Sequence, residues 1–344
     1  MKRHIKLALL TIVIATSVFS ASIEEFVATI FEQYPDAVAI ELTWQSAYDN
    51  YNATLLNADS KLNIMQADLE RLKAYKEYIA QRWRVIEEVF GILFELEEIS
   101  IQRSIAEIEY KMYSEDLSNK EKAMVYGGVS QMEVDVAKIN ADKSKGKLDY
   151  YKSVKSQKEK FIKDTLFISE LPSISMQTEG LKTPTVEEMN SIKKENIDRQ
   201  IESYKKQIED TKYKLAQSGM TTSFLADVNK RSAKIHELKE QAFANASIYY
   251  MNIACEDVNY SALKYKSAIE LKALHMQRLS KLQEAQKEGY ITSYDYYQGV
   301  LDVYDYDITA WEEKYNLFKN VVKYLKAKGT DPLEYLSDFV KAKE

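Results

Sequence analysis

Gly127-Gly128-Val129-Ser130, followed by Glu133, returns as Gly289-Tyr290-Ile291-Thr292, followed by Asp295, at an offset of 162 residues. The same offset carries Asp36 of Tyr34-Pro35-Asp36 onto Asp198 of Asn196-Ile197-Asp198. Landmarks agreeing on one register mark an internal duplication, so the chain is expected to be built from two copies of one supersecondary unit. What lies between the landmarks then decides the architecture. Nine Gly and four Pro in 344 residues are far below ordinary usage, so loops must be few and the elements between them long.

Those elements read as helices. From Leu62 the apolar positions fall at Met65, Leu69, Leu72, Ile79, Trp83, Ile86, Phe90 and Leu93, in steps of three and four with a polar gap at Lys76. The second copy steps through Tyr297, Leu301, Tyr304, Ile308, Trp311, Tyr315, Phe318, Val322 and Leu325. Such a heptad seam buries against another helix, whereas a strand requires period two, and no useful run of that kind is present. Pro35 suits the first turn of a helix. Gly127-Gly128 and Gly289 suit the positive φ that ends one, and Ser130 and Thr292 suit the cap of the next. Each half is therefore expected to hold a short helix, one of about 22 residues, a reversal, one of about 65, a tight Gly turn and a return helix of about 35. A 65-residue helix spans on the order of 100 Å and closes no core by itself. It must pair with its return helix, with the other half, and with further copies of the chain. The expected fold is all-α: elongated antiparallel coiled-coil hairpins in two tandem repeats, with little or no β. The boundaries read as 1–20 signal peptide, 21–170 first repeat, 171–184 linker around Leu171-Pro172 and Pro184, 185–329 second repeat and 330–344 C-terminal tail.

Met1-Lys2-Arg3-His4-Ile5-Lys6, the apolar run Leu7–Val18 and the small residues Ser20 and Ala21 have the order of a secretory signal. About a dozen apolar residues fall short of the roughly 20 that cross a bilayer, which favours cleavage near Ser20 over a retained anchor. Removing Lys2, Arg3 and Lys6 moves the formal charge from −6 to −9. An acidic chain is a poor ligand for nucleic acid, whose binding rests on Lys and Arg neutralising phosphates. Cys255 is the only cysteine, so no intrachain disulfide can form.

Two tandem repeats, each with a Pro-Asp-like helix start, a very long helix, a Gly-x-x-Ser/Thr turn with an acid after it and a return helix, resemble the TolC-like outer-membrane efflux family. The resemblance runs from Ser22-Ile23-Glu24-Glu25, echoed by Thr185-Val186-Glu187-Glu188, to Gly329. It implies three chains forming a tapered tunnel, with a twelve-strand outer-membrane barrel above a helical periplasmic tube. It also implies that a periplasmic adaptor and an inner-membrane transporter dock at the Gly turns. The docking tips would then be Gly127, Gly128 and Ser130 in one repeat and Gly289 and Thr292 in the other, with Glu133 and Asp295 as pore-mouth charges. The family's second acid, three positions further on in the second repeat, is replaced by Gln298. A barrel strand needs about 9 to 11 alternating residues, and the places equivalent to the family's hairpins, 55–62 and 217–225, have no room for a pair. The chain is thus expected to keep the helical tube and lack the membrane pore.

Little in the sequence points to chemistry. His4, His236 and His275 are far apart, Asp302, Asp305 and Asp307 fan round a helix, and the Tyr residues of the seam suit packing. There is no phosphate loop and no nucleophile elbow. No cofactor, metal or enzymatic activity is expected. The sequence supports an exported cell-envelope protein of the efflux or secretion class that forms or docks to a periplasmic duct. The alternative is a non-transporting structural spacer or helical holdase with the same fold.

Overall fold

A computed structural model describes residues 22–57, 60–220 and 222–342; the secretory-signal reading of residues 1–20 lies outside them. The first half comprises α1 (Ile23–Gln33), α2 (Pro35–Leu56), α3 (Lys61–Val125) and α4 (Gln131–Leu166). The second comprises α5 (Val186–Glu195), α6 (Ile197–Leu215), α7 (Ser223–Lys287) and α8 (Ser293–Lys328). A π-turn, Ala216–Met220, extends α6, and a short α9 (Pro332–Tyr335) follows α8. The offset of 162 holds for both ends of the two 65-residue and the two 36-residue helices. The short helices α1 and α5 also start alike, one residue out of that register: Ser22 and Thr185 each close a capping box on the glutamate at the third helical position, Glu25 and Glu188.

α3 and α4 form one antiparallel hairpin, α7 and α8 the other, and α3 packs along α8 to join them. Towards the Gly turns the helices therefore stand in a row, α4-α3-α8-α7. Among the described residues, α4 and α7 do not pack along one another, so the row stays open. At the other end α2 lies on α3, and α6 lies on both α7 and α3. A small apolar cluster of Met65, Leu69, Leu72, Ile201 and Ile208 seals that end. The polar gap at Lys76 is a bridge between the repeats, its Nζ lying 2.6 Å from Asp198 Oδ1, although an ion pair this exposed adds only about 0–1 kcal/mol.

The main core lies at mid-length. Phe26, Phe90, Phe94 and Phe318 pack with centroids 5.1–5.9 Å apart, Trp83 Nε1 donates to Thr330 O at 2.9 Å, and Trp311 Nε1 donates to Phe94 O at 2.9 Å. Arg82, buried there, reaches Asp331 at 3.0 Å with its guanidinium 3.8 Å from the Phe31 ring centroid. The α3 seam from Met65 to Leu93 is buried at every apolar position. The α8 seam differs from expectation. Phe318, Val322 and Leu325 are buried, but Tyr297 to Tyr315 are only half-buried, and Val300, Val303, Ala310 and Leu317 lie deeper. The reason is position in the row: α8 is sandwiched between α3 and α7, and a single heptad stripe accounts for one packing face only.

The expectation of little or no β also holds, with one addition. β1 (Ile174–Met176) pairs antiparallel with β2 (Val340–Ala342), Ser175 opposite Lys341, so the linker between repeats is tied to the C-terminal tail. At the places equivalent to the family's barrel hairpins, α2 and α3 are separated only by residues 57–60, and α6 and α7 only by 216–222.

Candidate docking tip and open lateral edges

The two Gly turns lie at the same end of the row and are built alike. After α3, Gly127 takes φ 72°, its N–H donates to Met124 O at 2.9 Å, and Gly128 N–H donates back to Ala123 O at 2.9 Å. After α7, Gly289 takes φ 78°, and the corresponding bonds reach Gln286 O at 3.0 Å and Ala285 O at 2.8 Å. This left-handed C-cap satisfies carbonyls that the helix end would otherwise leave open, and it favours Gly because a Cβ is strained at that φ. Gly128 departs from the sequence expectation, since its φ is not in the left-handed region. Its constraint is space: an added Cβ would lie 3.3 Å from Ala123 O. The equivalent residue, Tyr290, shows that the second turn accommodates a side chain there.

Ser130 and Thr292 cap the return helices. Ser130 N–H and Oγ–H donate to Glu133 Oε2 at 2.7 and 2.8 Å, while Glu133 N–H donates to Ser130 Oγ at 3.4 Å. Thr292 and Asp295 repeat the arrangement at 3.2, 2.7 and 3.1 Å. Hydrogen bonds from the Ser130 backbone N–H and then its hydroxyl hold the Glu133 carboxyl below its ordinary pKa. The Thr292 hydroxyl and then its N–H do the same for Asp295. Both carboxylates are thus ionised at neutral pH, but each is folded back onto its own helix start. The family pattern singles them out as pore-mouth charges; the geometry assigns them first to capping. Val125, Tyr126, Met132, Tyr290 and Tyr294 stand exposed around the two turns, an apolar rim that the motif search did not single out.

The second feature is the pair of open edges. On α4 the exposed Met132, Val136, Ile139, Tyr150 and Phe161 are separated by 4, 3, 11 and 11 residues. On α7 the exposed Ile235, Leu238, Tyr249, Tyr260, Leu263 and Leu274 are separated by 3, 11, 11, 3 and 11. Eleven residues are close to three full turns, so each set forms one nearly straight stripe. Where the step is eleven residues, neighbouring side chains of a stripe stand about 16 Å apart along the helix. They escaped the sequence reading because the seams of α3 and α8 dominated it, and because α7 turns mainly small residues inward: Ala226, Ala233, Ala244, Ser247, Ala254, Ser261 and Ala268 are buried.

The two described histidines do not converge. His236 Nδ1 lies 2.6 Å from Glu202 Oε2, His275 stacks on Tyr306, and no cluster of metal-ligating side chains occurs among the described residues.

No family model matches the chain, nor does any curated protein sequence. Solved structures do. The outer membrane protein VceC of Vibrio cholerae superposes with TM-score 0.61 at 11% identity, covering 89% of this chain and 95% of its own. The fold is TolC-like. The CmeC outer membrane channel of Campylobacter jejuni gives 0.58 at 13% identity over 89% and 85%, and CusC gives 0.57 at 12% over 89% and 91%. Identities this low establish the helical tandem-repeat architecture and not the activity.

Proposed function

We propose that this chain is a TolC-like helical component of an envelope efflux or secretion system, in which further copies stand side by side as the wall of a periplasmic duct. The observation carrying this reading is the open row, with an apolar stripe on each outer helix. An α4 edge set against the α7 edge of the next copy is a head-to-tail contact, and such contacts generate rings when the rotation closes. The TolC-like fold supports three copies in the ring, with the Gly turns at one mouth facing an adaptor and an inner-membrane transporter. Gly127, Gly128, Ser130, Gly289 and Thr292 shape that mouth, and Tyr126 and Tyr290 offer apolar contact beside the capped Glu133 and Asp295. The work is geometric and electrostatic rather than catalytic.

Photo-crosslinkers at Ser130 and Thr292 in cells test the docking role. The reading expects capture of an envelope transport component. Probes that trap none, while probes midway along α7 trap unrelated unfolded proteins, would replace it with the spacer or holdase reading.

A further inference from the structure

α2 and α6 are the equivalent helices of the two repeats, each laid on the long helix that follows it, yet they are held by different chemistry. Against α7, α6 sets three ionisable contacts in a row. Arg199 Nη2 lies 3.2 Å from Glu240 Oε1, Glu202 Oε2 lies 2.6 Å from His236 Nδ1, and Lys206 Nζ lies 3.2 Å from Glu237 Oε2. Moving each pair back by 162 residues gives Ala37 and Tyr78, Ile40 and Ala74, and Trp44 and Tyr75. The first repeat therefore fills the same positions with apolar and aromatic side chains. Trp44 packs on Tyr75 and Tyr78 with ring centroids 5.4 and 5.3 Å apart.

The two faces of α6 differ as well. Towards α3, Ile201 and Ile208 are buried with Met65, Leu69 and Leu72. Towards α6, α7 offers little apolar surface, since between 223 and 243 it buries only Ala226 and Ala233. The outer ion pairs are open to water: the Arg199 and Lys206 side chains are each 31% exposed, and such pairs are weak and screened by salt. Glu202 is buried, and Lys205 Nζ holds its other oxygen at 2.6 Å. Burial acts to raise the Glu202 carboxyl, but hydrogen bonds from Lys205 and then His236 override it and hold the group below its ordinary pKa. Lys234 and then Lys206 lower Glu237 by hydrogen bonding, so both acids are ionised at neutral pH. Neighbouring elements add Lys76 of α3, held by Asp198 one turn before Glu202, and the Lys193 carbonyl of α5, which accepts from Arg199 Nη1 at 3.2 Å. A buried carboxylate regains its hydration when the contact opens, so Glu202 resists release less than an apolar residue in its place would.

We propose that α6 is a clamp fixed to α3 and releasable from α7: rising ionic strength opens the α6–α7 contact, while the aromatic contact of α2 on α3 stays closed. Opening of this kind is a local event confined to the weakest interface, and it leaves the core at mid-length intact. The freed stretch of α7, 223–243, carries Ile235 and Leu238 of the outer stripe, so the release acts on one edge of the row and not on the other. The inference goes beyond the duct reading and stands apart from it, because it requires nothing of the Gly turns or of further copies.

Paired spin labels read the opening as a distance. In a Cys255→Ala background, Gln207→Cys/Lys239→Cys spans α6 and α7, and the equivalent Gln45→Cys/Glu77→Cys spans α2 and α3. All four sites are exposed and none belongs to the three ionisable pairs. Dilution with unlabelled chain removes distances between copies. From about 20 mM to about 0.5 M salt the Debye length falls several-fold, and a longer-distance population at 207 and 239 should rise several-fold with it. The distance between 45 and 77 should stay as it is. Glu202→Gln, which removes the buried charge, should populate the longer distance already at low salt. Glu202→Ile/His236→Ala/Lys206→Trp/Glu237→Tyr, which gives the second repeat the residues of the first, should abolish the salt response. Circular dichroism of each variant confirms that the helices persist. The inference is overturned if the distance between 207 and 239 is insensitive to salt in the parent, if that between 45 and 77 widens equally, or if the variant carrying the first repeat's residues folds and responds as the parent does. Failure of the Ser130 and Thr292 crosslinks would leave all of these outcomes readable.

Discussion

α3 and α7 are equivalent helices of equal length in the same register, yet one is a core element and the other an edge. α3 has neighbours on several sides, α2, α4, α6 and α8, and buries Trp83, Ile86, Phe90, Leu93 and Phe94. α7 is packed by α5, α6 and α8 but not by α4, and the side chains it buries are mostly small, with Met251, Val258 and Tyr265 among the larger ones. Its bulky residues face outward. Duplication has fixed the ends of the long and return helices and the caps of the return helices, while the place of each helix in the row has decided which face carries the large apolar groups. Two copies of one hairpin laid side by side create one shared seam, α3 against α8, and necessarily leave two outer helices with a free face.

The largest expected effect is at that shared seam. Phe90→Ala should destabilise by about 3–5 kcal/mol, as a large-to-small change at a fully buried ring does. Leu263→Ala on the outer face of α7 should stay within about 0.5 kcal/mol for the isolated chain. Denaturant titration at a concentration where the chain is monomeric compares them. Equal losses would show that α7 is as buried as α3 and would remove the distinction between core and edge.

The turns come next. Gly289→Val should cost at least about 1 kcal/mol, because a β-branched residue is strained at φ 78° although nothing lies within 4 Å of the added Cβ. Thr292→Ala should cost about 1 kcal/mol by removing an N-cap. The capping acids add a pH signature. Their folded pKa values are depressed, so the contribution is complete above the ordinary carboxylate range, near pH 4, and is lost as pH falls through the lower folded values. Thr292→Ala should therefore narrow the stability difference between neutral and acid pH, and an unchanged difference would show that the caps do not persist in solution.

The smallest effect concerns a mismatch between the repeats. α8 ends on Gly329 at φ 77°, whereas the equivalent residue after α4 is Phe167 at φ 54°. A left-handed Phe carries strain of roughly 1–2 kcal/mol that Gly relieves, against a backbone-entropy cost of about 0.5–1 kcal/mol. Phe167→Gly should stabilise by up to about 1 kcal/mol in a thermal melt. A loss would mean that the exposed ring has a partner in the assembled protein.

Much of this architecture was legible in the sequence, because Gly scarcity, the 162 offset and the seam of α3 all report on local geometry. The Gly turns and the caps Ser130 and Thr292 were legible for the same reason, whereas Glu133 and Asp295 were read as pore-mouth charges and their capping bonds emerged only from the geometry. The row was not, since which helix faces which is set by packing between distant segments. The half-buried Tyr residues of α8 were assigned to a core that only part of that helix enters. The β1–β2 pair was also hidden, because three-residue strands carry too few alternations to register.

The central claim is that the open row closes by setting the α4 edge of one copy against the α7 edge of the next. Ile139→Cys and Leu274→Cys, one on each stripe and separated by about 8 Å in height when measured from the Gly-turn ends of their helices, test it directly. With both cysteines in one chain, a short bismaleimide should give an intermolecular ladder that ends at a closed species of three chains, while either cysteine alone should give little crosslinked product. A chain that sediments as a monomer and gives no ladder, or one that crosslinks through Leu274→Cys alone as an α7-to-α7 dimer, would contradict the account.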